Sequence, residues 1–242
     1  LLEREGDILW KTAVGSRISD VAISPEGSRI GVAADKLYLF DGDGNLLWAE
    51  KTTYIYRGVA LSSEGISIAA ACDNGALFVF DQDKNILWDY DMGTDGYGVA
   101  ISENGRRIAL GCDNHGVYYL NSGEGQSWSY GTGNCVKGIA LTPDGRFVAA
   151  GSLDRCVYLS TAEGEHLWKY PTTEAGLATA LTGEAREVLA ASGRTVDVLD
   201  RSGAERQKIT LGGRVESIAV TPDGSFLAAG GGDGDRSIHL FT

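Results

Sequence analysis

A unit of about 40 residues recurs along the whole chain, and this period constrains the fold more than any other feature. The clearest copy, residues 136–170, reads VKGIALTPDGRFVAAGSLDRCVYLSTAEGEHLWKY. It holds four short apolar runs: VKGIALT, RFVAAGS, CVYLST and HLWKY. Three turn signals separate them: Pro143-Asp144-Gly145, Leu153-Asp154-Arg155 and Ala162-Glu163-Gly164. Runs rich in Val, Ile, Leu, Tyr and Trp, bounded by Gly, Pro and Asp, read as strands joined by hairpins. Each copy is therefore a four-stranded antiparallel meander.

The copies fall at 18–50, 56–90, 96–130, 136–170, 176–209 and 215–242. Gly27, Gly65, Gly105, Gly145 and Gly224 mark the first turn of five of them, and Ala185 takes that place in the fifth copy. The tryptophans keep the same step: Trp10, Trp48, Trp88, Trp128 and Trp168, with Gln207 in the sixth place. Four-stranded repeats of this length predict an all-β, six-bladed β-propeller forming one domain over 1–242. No sustained 3.6-residue periodicity supports a helical solenoid. The last copy stops after its third strand, whereas residues 8–12 read as a fourth strand with no copy ahead of them. The expected closure pairs residues 8–12 with 237–241, which removes an open sheet edge. The first strand of each copy centres on an alanine (Ala22, Ala60, Ala100, Ala140, Ala180, Ala219). A larger residue precedes it each time: Val21, Val59, Val99, Ile139, Thr179 and Ile218. Alternation places these on opposite faces, small against large, as converging sheets require.

Hydrophobic residues make up 43% of the 242, enough for a core and too many for disorder. A formal charge of −12 repels phosphate, so nucleic acid is not an expected partner. No apolar run reaches the roughly 18 residues of a membrane span. Cys72, Cys112, Cys135 and Cys156 contain no C-x-x-C pair and the histidines are scattered, so no metal site is expected. The cysteines read as small buried thiols. The chain opens Leu1-Leu2-Glu3-Arg4 without Met, which reads as a processed chain or a module cut from a larger protein.

Two propeller families show in these residues. The inner halves, such as VAISPEGSRIGVA and IAVTPDGSFLAAG, resemble WD-repeat propellers. The outer halves, such as LYLFDGDGNLLWAE and LFVFDQDKNILWDY, resemble the tryptophan-docking blades of quinoprotein-like (PQQ-like) propellers. That second resemblance implies that Trp10, Trp48, Trp88, Trp128 and Trp168 dock on the neighbouring blade, with Gln207 departing from the role. The Gly-His and Trp-Asp dipeptides of orthodox WD repeats are missing. So are the vicinal cysteines and metal ligands of quinoprotein dehydrogenases, and no cofactor is expected.

Propellers bind at the channel mouth and on the loops of one face. The blade-to-blade loops carry Tyr54, Tyr56, Arg57, Asp95, Tyr97, Asn134 and Lys137, and the second hairpins add His115. The heads of the first strands, Ser19, Arg57, Tyr97, Lys137, Leu177 and Glu216, differ in every copy. Such divergence suits one asymmetric partner, or is drift at exposed positions. Tyr54, Tyr56, Arg57 and Tyr97 are hot-spot residue types, or packing between blades. Asp73, Asp113 and Asp154 read as turn aspartates. Asp41-Gly42-Asp43-Gly44-Asn45 starts like a calcium loop, but no later acid completes it, and turn chemistry explains it better. Catalytic motifs are absent and His115, His166 and His239 fall at different blade positions. The expected function is a non-catalytic protein-interaction scaffold or sensor module. A small-molecule or glycan sensor at the channel mouth is the alternative, and a propeller-type hydrolase or lyase the second.

Overall fold

The computed structural model describes residue 1 and residues 7–242, the side chains of Gly176 and Leu177 excepted. It contains six antiparallel sheets: five of four strands in sequential meander order and a last one of three. The blades occupy 20–50, 56–91, 96–131, 136–171, 176–210 and 215–241. The turns between first and second strands close on residues of positive φ. Gly27, Gly105, Gly145 and Gly224 sit at +71° to +76°, and Ala185 holds +51° in the worn copy.

Neighbouring blades meet along their first strands, in the order expected. In blades 2 to 6 the branched residue of the first strand points back at the blade before it. A methyl at Gly31 of blade 1 would lie 2.9 Å from the Val59 Cγ2 of blade 2. The alanines face forward, so that Ala60 packs on the cluster between blades 2 and 3 and Ala140 on that between blades 4 and 5. Five such clusters join six blades.

The tryptophans clamp the outer rim. The indole N–H of Trp10, Trp48, Trp128 and Trp168 donates to the carbonyl of Gly42, Gln82, Ala162 and Arg201, each in the last hairpin of the following blade, at 2.8–2.9 Å. Under Trp10, Trp128 and Trp168 a hairpin glycine leaves no room for a side chain: a Cβ on Gly44 would stand 2.6 Å from Trp10, and one on Gly203 3.0 Å from Trp168. Lys84 holds the equivalent place in blade 2. Trp88 is placed alike, but its N–H has no partner.

The closure expected from the sequence is not formed. Residues 8–12 make no strand pairing with the third strand of blade 6, Ile238–Phe241, and that sheet keeps three strands. Trp10 lies instead on blade 1, 6.2 Å from the Phe40 ring, where the outer strand of a preceding blade would put it. The first strand of blade 6 does not return to pack on that of blade 1 as the other five neighbours do. Val21 is accordingly 55% exposed, against 3% for Val59 at the equivalent place. A methyl at Gly230 of blade 6 would meet nothing closer than 3.9 Å. The ring is open between its last and first blades.

Two substitutions test this packing. Ala140→Leu should overfill the contact between blades 4 and 5 and cost roughly 1–3 kcal/mol in urea melts. Gln207 borders a cavity of about 450 Å³ with Val198, Leu240 and Phe241, where a tryptophan would lie. Gln207→Trp should fill it and raise stability by about 1 kcal/mol in the same melts.

Candidate binding site at the channel mouth

The first strands of blades 2 to 6 share an irregularity that the sequence does not announce. In blade 2, Tyr56 pairs with Cys72 and Gly58 with Ala71, so Arg57 is an extra residue in the ladder. The same bulge extrudes Tyr97, Lys137, Leu177 and Glu216. A bulge turns its extra side chain out of the pleat and re-aims it. Arg57, Tyr97, Lys137 and Glu216 thereby line one cavity of about 290 Å³ at the channel mouth, together with Ser19 of blade 1. Leu177 lies outside the described side chains.

The two groups of loops meet on this face. The Asp113 N–H donates to the Asp95 carbonyl and the Thr132 N–H to the His115 carbonyl. Asp73 Oδ1 accepts the Ile55 N–H at 3.0 Å, and Asp154 Oδ2 the Gly133 N–H at 2.9 Å. Asp154 also accepts the Cys156 N–H of its own hairpin at 3.1 Å, whereas Asp73 reaches the loop before its blade and Asp113 accepts from the side chains of Cys135 and Tyr97. Asp41 spends its carboxylate on its own hairpin, accepting from Asp43 and Asn45. Among the described residues no cluster of His, Cys, Asp or Glu has the make-up of a metal site.

At the mouth, Lys137 Nζ lies 2.7 Å from the centroid of the Tyr97 ring. A cation over an aromatic face is attracted by the ring quadrupole. Burial pulls the Lys137 ammonium below its ordinary value, and the nearby Arg57 acts in the same direction. Burial pushes the Tyr97 phenol up, helped by its hydrogen bond to Asp113. Asp113 is held low, first by the Cys135 thiol at 3.1 Å and then by Tyr97. Burial raises that thiol, so it stays protonated at neutral pH. Arg57 stands 3.7 Å from Asp73. The mouth thus presents two cations and an aromatic ring, braced by carboxylates.

The other residues singled out from the sequence divide. Tyr54, His115 and Asn134 are exposed on the loops, and Asp95 is half-buried. The Asn134 side chain is engaged locally, accepting the Cys135 N–H at 2.8 Å. Tyr56 does not belong to the face. It is 0% exposed in the core between blades 1 and 2, because it precedes the bulge and keeps the inward side of the pleat.

Sequence reasoning missed Asp20. It occupies the place held by Gly58, Gly98, Gly138, Ala178 and Ser217 in the other blades. That place abuts the next blade: a methyl on Gly58 would come 2.6 Å from the Tyr97 carbonyl oxygen. Asp20 instead reaches across and accepts the Val59 N–H at 3.0 Å. One acid in a column of small residues was the available signal. Burial raises its pKa from 3.8 to about 6, against the lowering pull of its bonds to Val59 and Val21. The fold favours the protonated form, so this contribution is complete below about pH 4 and is lost as pH rises through 6. Asp20→Asn should leave stability at about pH 4 unchanged and raise it above pH 7, by up to about 3 kcal/mol, in melts recorded across that range.

A sequence model described as "WD domain, G-beta repeat" matches residues 126–159 and 206–242. Each match starts in the outer strand of one blade and ends in the third strand of the next. No curated protein matches the chain. Among solved structures, a chain in the "Crystal Structure of Mitotic Checkpoint Complex" superposes with a TM-score of 0.85 at 15% identity, over 98% of this chain and 82% of that one. At that identity the likeness carries the fold alone. The protein is an all-β, six-bladed propeller that carries WD-type repeats.

Proposed function

We propose that residues 1–242 act as one rigid, non-catalytic platform that binds a protein partner at the channel mouth. The supporting observation is the set of bulges: successive blades present a different side chain to one cavity, on a frame that otherwise repeats. Arg57, Tyr97 and Lys137 form the centre of the contact, with Tyr54, Asp95, His115 and Asn134 around it. A site fixed by strand pairing and side-chain stacking loses little entropy on binding. Tyr and Arg supply the residue types that dominate interface energetics. WD-type propellers are generally scaffolds, and the similar solved chain was crystallised in a complex. The net charge of −12 disfavours nucleic acid as the partner. No helix among the described residues is long and apolar enough to cross a membrane.

A second reading rests on the cavity itself. Its volume of about 290 Å³, lined by groups of both charges, suits a small polar ligand or sugar. Partner capture followed by size exclusion separates the two. Tyr97→Ala and Arg57→Ala should each weaken a captured complex by about tenfold or more while leaving the melting temperature in place. Complexes that survive both changes would remove this face. A melting shift with one member of a sugar panel, abolished by Lys137→Ala, would instead favour the small ligand.

A further inference from the structure

The polar groups lining the mouth cavity are not all in use, and those left over share one character. Asp20 spends its carboxylate on the N–H groups of Val21 and Val59. Glu216 stands 3.6 Å from Arg214. The Tyr97 hydroxyl is bonded to Asp113. The charged acceptors of the cavity are thus engaged, and its donors are not. Lys137 rests on the Tyr97 ring, and among the described residues its ammonium forms no ion pair. Arg57 meets Asp73 at 3.7 Å through one nitrogen, which leaves most of its fork of N–H groups unused. Thr179, 8% exposed in the cavity wall, has a hydroxyl with no partner among the described residues. It stands in the column that holds Val21, Val59, Val99, Ile139 and Ile218 in the other blades, so packing gives no reason for its oxygen.

Unused donors around one cavity call for a ligand that only accepts. Two of the three are cations that repel one another: burial, and then the neighbouring Arg57, hold the Lys137 ammonium below its ordinary value. An anion beside both relieves that repulsion and takes charge-assisted hydrogen bonds. A sugar brings hydroxyl donors to a cavity whose carboxylates are already engaged. The surroundings also restrict what carries the anion. Asp73 and Asp113 brace the rim, and the whole chain has a net charge of −12. A run of acids is repelled there, whereas one acid among neutral or basic residues is not. A cavity of about 290 Å³ admits a side chain or a chain end rather than a folded element. We propose that the mouth takes one isolated carboxylate of its protein partner, from a side chain or a chain end, on Lys137 and Arg57, with the Thr179 hydroxyl as a third donor. This inference rests on the channel mouth being the partner-binding face.

The test titrates the whole protein by NMR, at constant ionic strength, with four short probes. These are acetyl-Gly-Gly-Glu-Gly-Gly-amide, its Gln and phosphoserine counterparts, and acetyl-pentaglycine with a free carboxylate. The Glu or the free-ended peptide should bind about tenfold tighter than the Gln peptide, and the tighter of the two identifies the source of the carboxylate. Lys137→Met should weaken that binding by about tenfold, whereas Lys137→Arg should keep most of it. Thr179→Val should weaken it several-fold without lowering the melting temperature, because it removes an unpartnered hydroxyl at nearly equal volume. Bound peptide should also move the Lys137 titration upward, read at its ε carbon, which a purely structural lysine would not show. The proposal falls if neither carboxylate peptide binds better than the Gln peptide, or if Lys137→Met leaves binding unchanged. It also falls if the phosphoserine peptide binds tighter than both by about tenfold or more. A captured partner that is lost with Tyr97→Ala but kept with Lys137→Met would overturn the carboxylate and leave the platform standing. One indifferent to Tyr97→Ala and Arg57→Ala would overturn both.

Discussion

The structure depends on one contact, repeated. On the first strand of blades 2 to 6 a branched residue packs back into the small-residue face of the blade before it, and in blades 1 to 5 an alanine faces forward to receive the next. Sheets that converge on an axis have little room there, and only small groups let backbones approach without voids or overlap. Everything functional follows from how closely the first strands sit. Their heads come within reach of one another across a narrow mouth, and a side chain such as Lys137 can rest on a ring from the neighbouring blade.

The outer clamp is a separate device with the same logic. An indole lies on the last hairpin of the next blade, over a glycine for Trp10, Trp128 and Trp168, and donates to a carbonyl there, so these blades are held at the rim as well as at the axis. Blade 5 lacks the clamp: Gln207 stands where tryptophan would be, blade 6 presents no last hairpin to receive one, and a cavity lies there. Within this frame Asp20 is an exception tolerated in a column of small residues. Its carboxyl bridges two blades by accepting a backbone N–H, while its burial disfavours the charged form, so the fold loses stability as pH rises through about 6.

Blade number and strand order were legible because each is a local pattern repeated at fixed spacing, and the docking of Trp10, Trp48, Trp128 and Trp168 was implied by the resemblance of the outer halves to tryptophan-docking blades. A single weak signal becomes strong when it returns about every 40 residues. Closure was not legible. It depends on the angle between blades summed around the ring, and no local pattern records that angle. A fourth-strand sequence at residues 8–12 and a missing fourth strand in blade 6 fit each other on paper, yet residues 8–12 form no ladder with Ile238–Phe241. The site was half legible. Divergence at Arg57, Tyr97 and Lys137 could be read from aligned copies, but the bulge that aims them could not, and reading Tyr56 as part of the loop misplaced it. Asp20 was visible in the same alignment, one position further along.

The WD-type match straddles blades, beginning in one sheet and ending in the next. A unit cut at those points holds the outer strand of one sheet and the first three strands of the next, so two successive units complete each sheet and the ladder between third and fourth strands is the seam. Inserting such a unit replaces one seam by two of the same kind, and no contact must be redesigned. Arrays cut this way lengthen or shorten by whole units without a new type of joint.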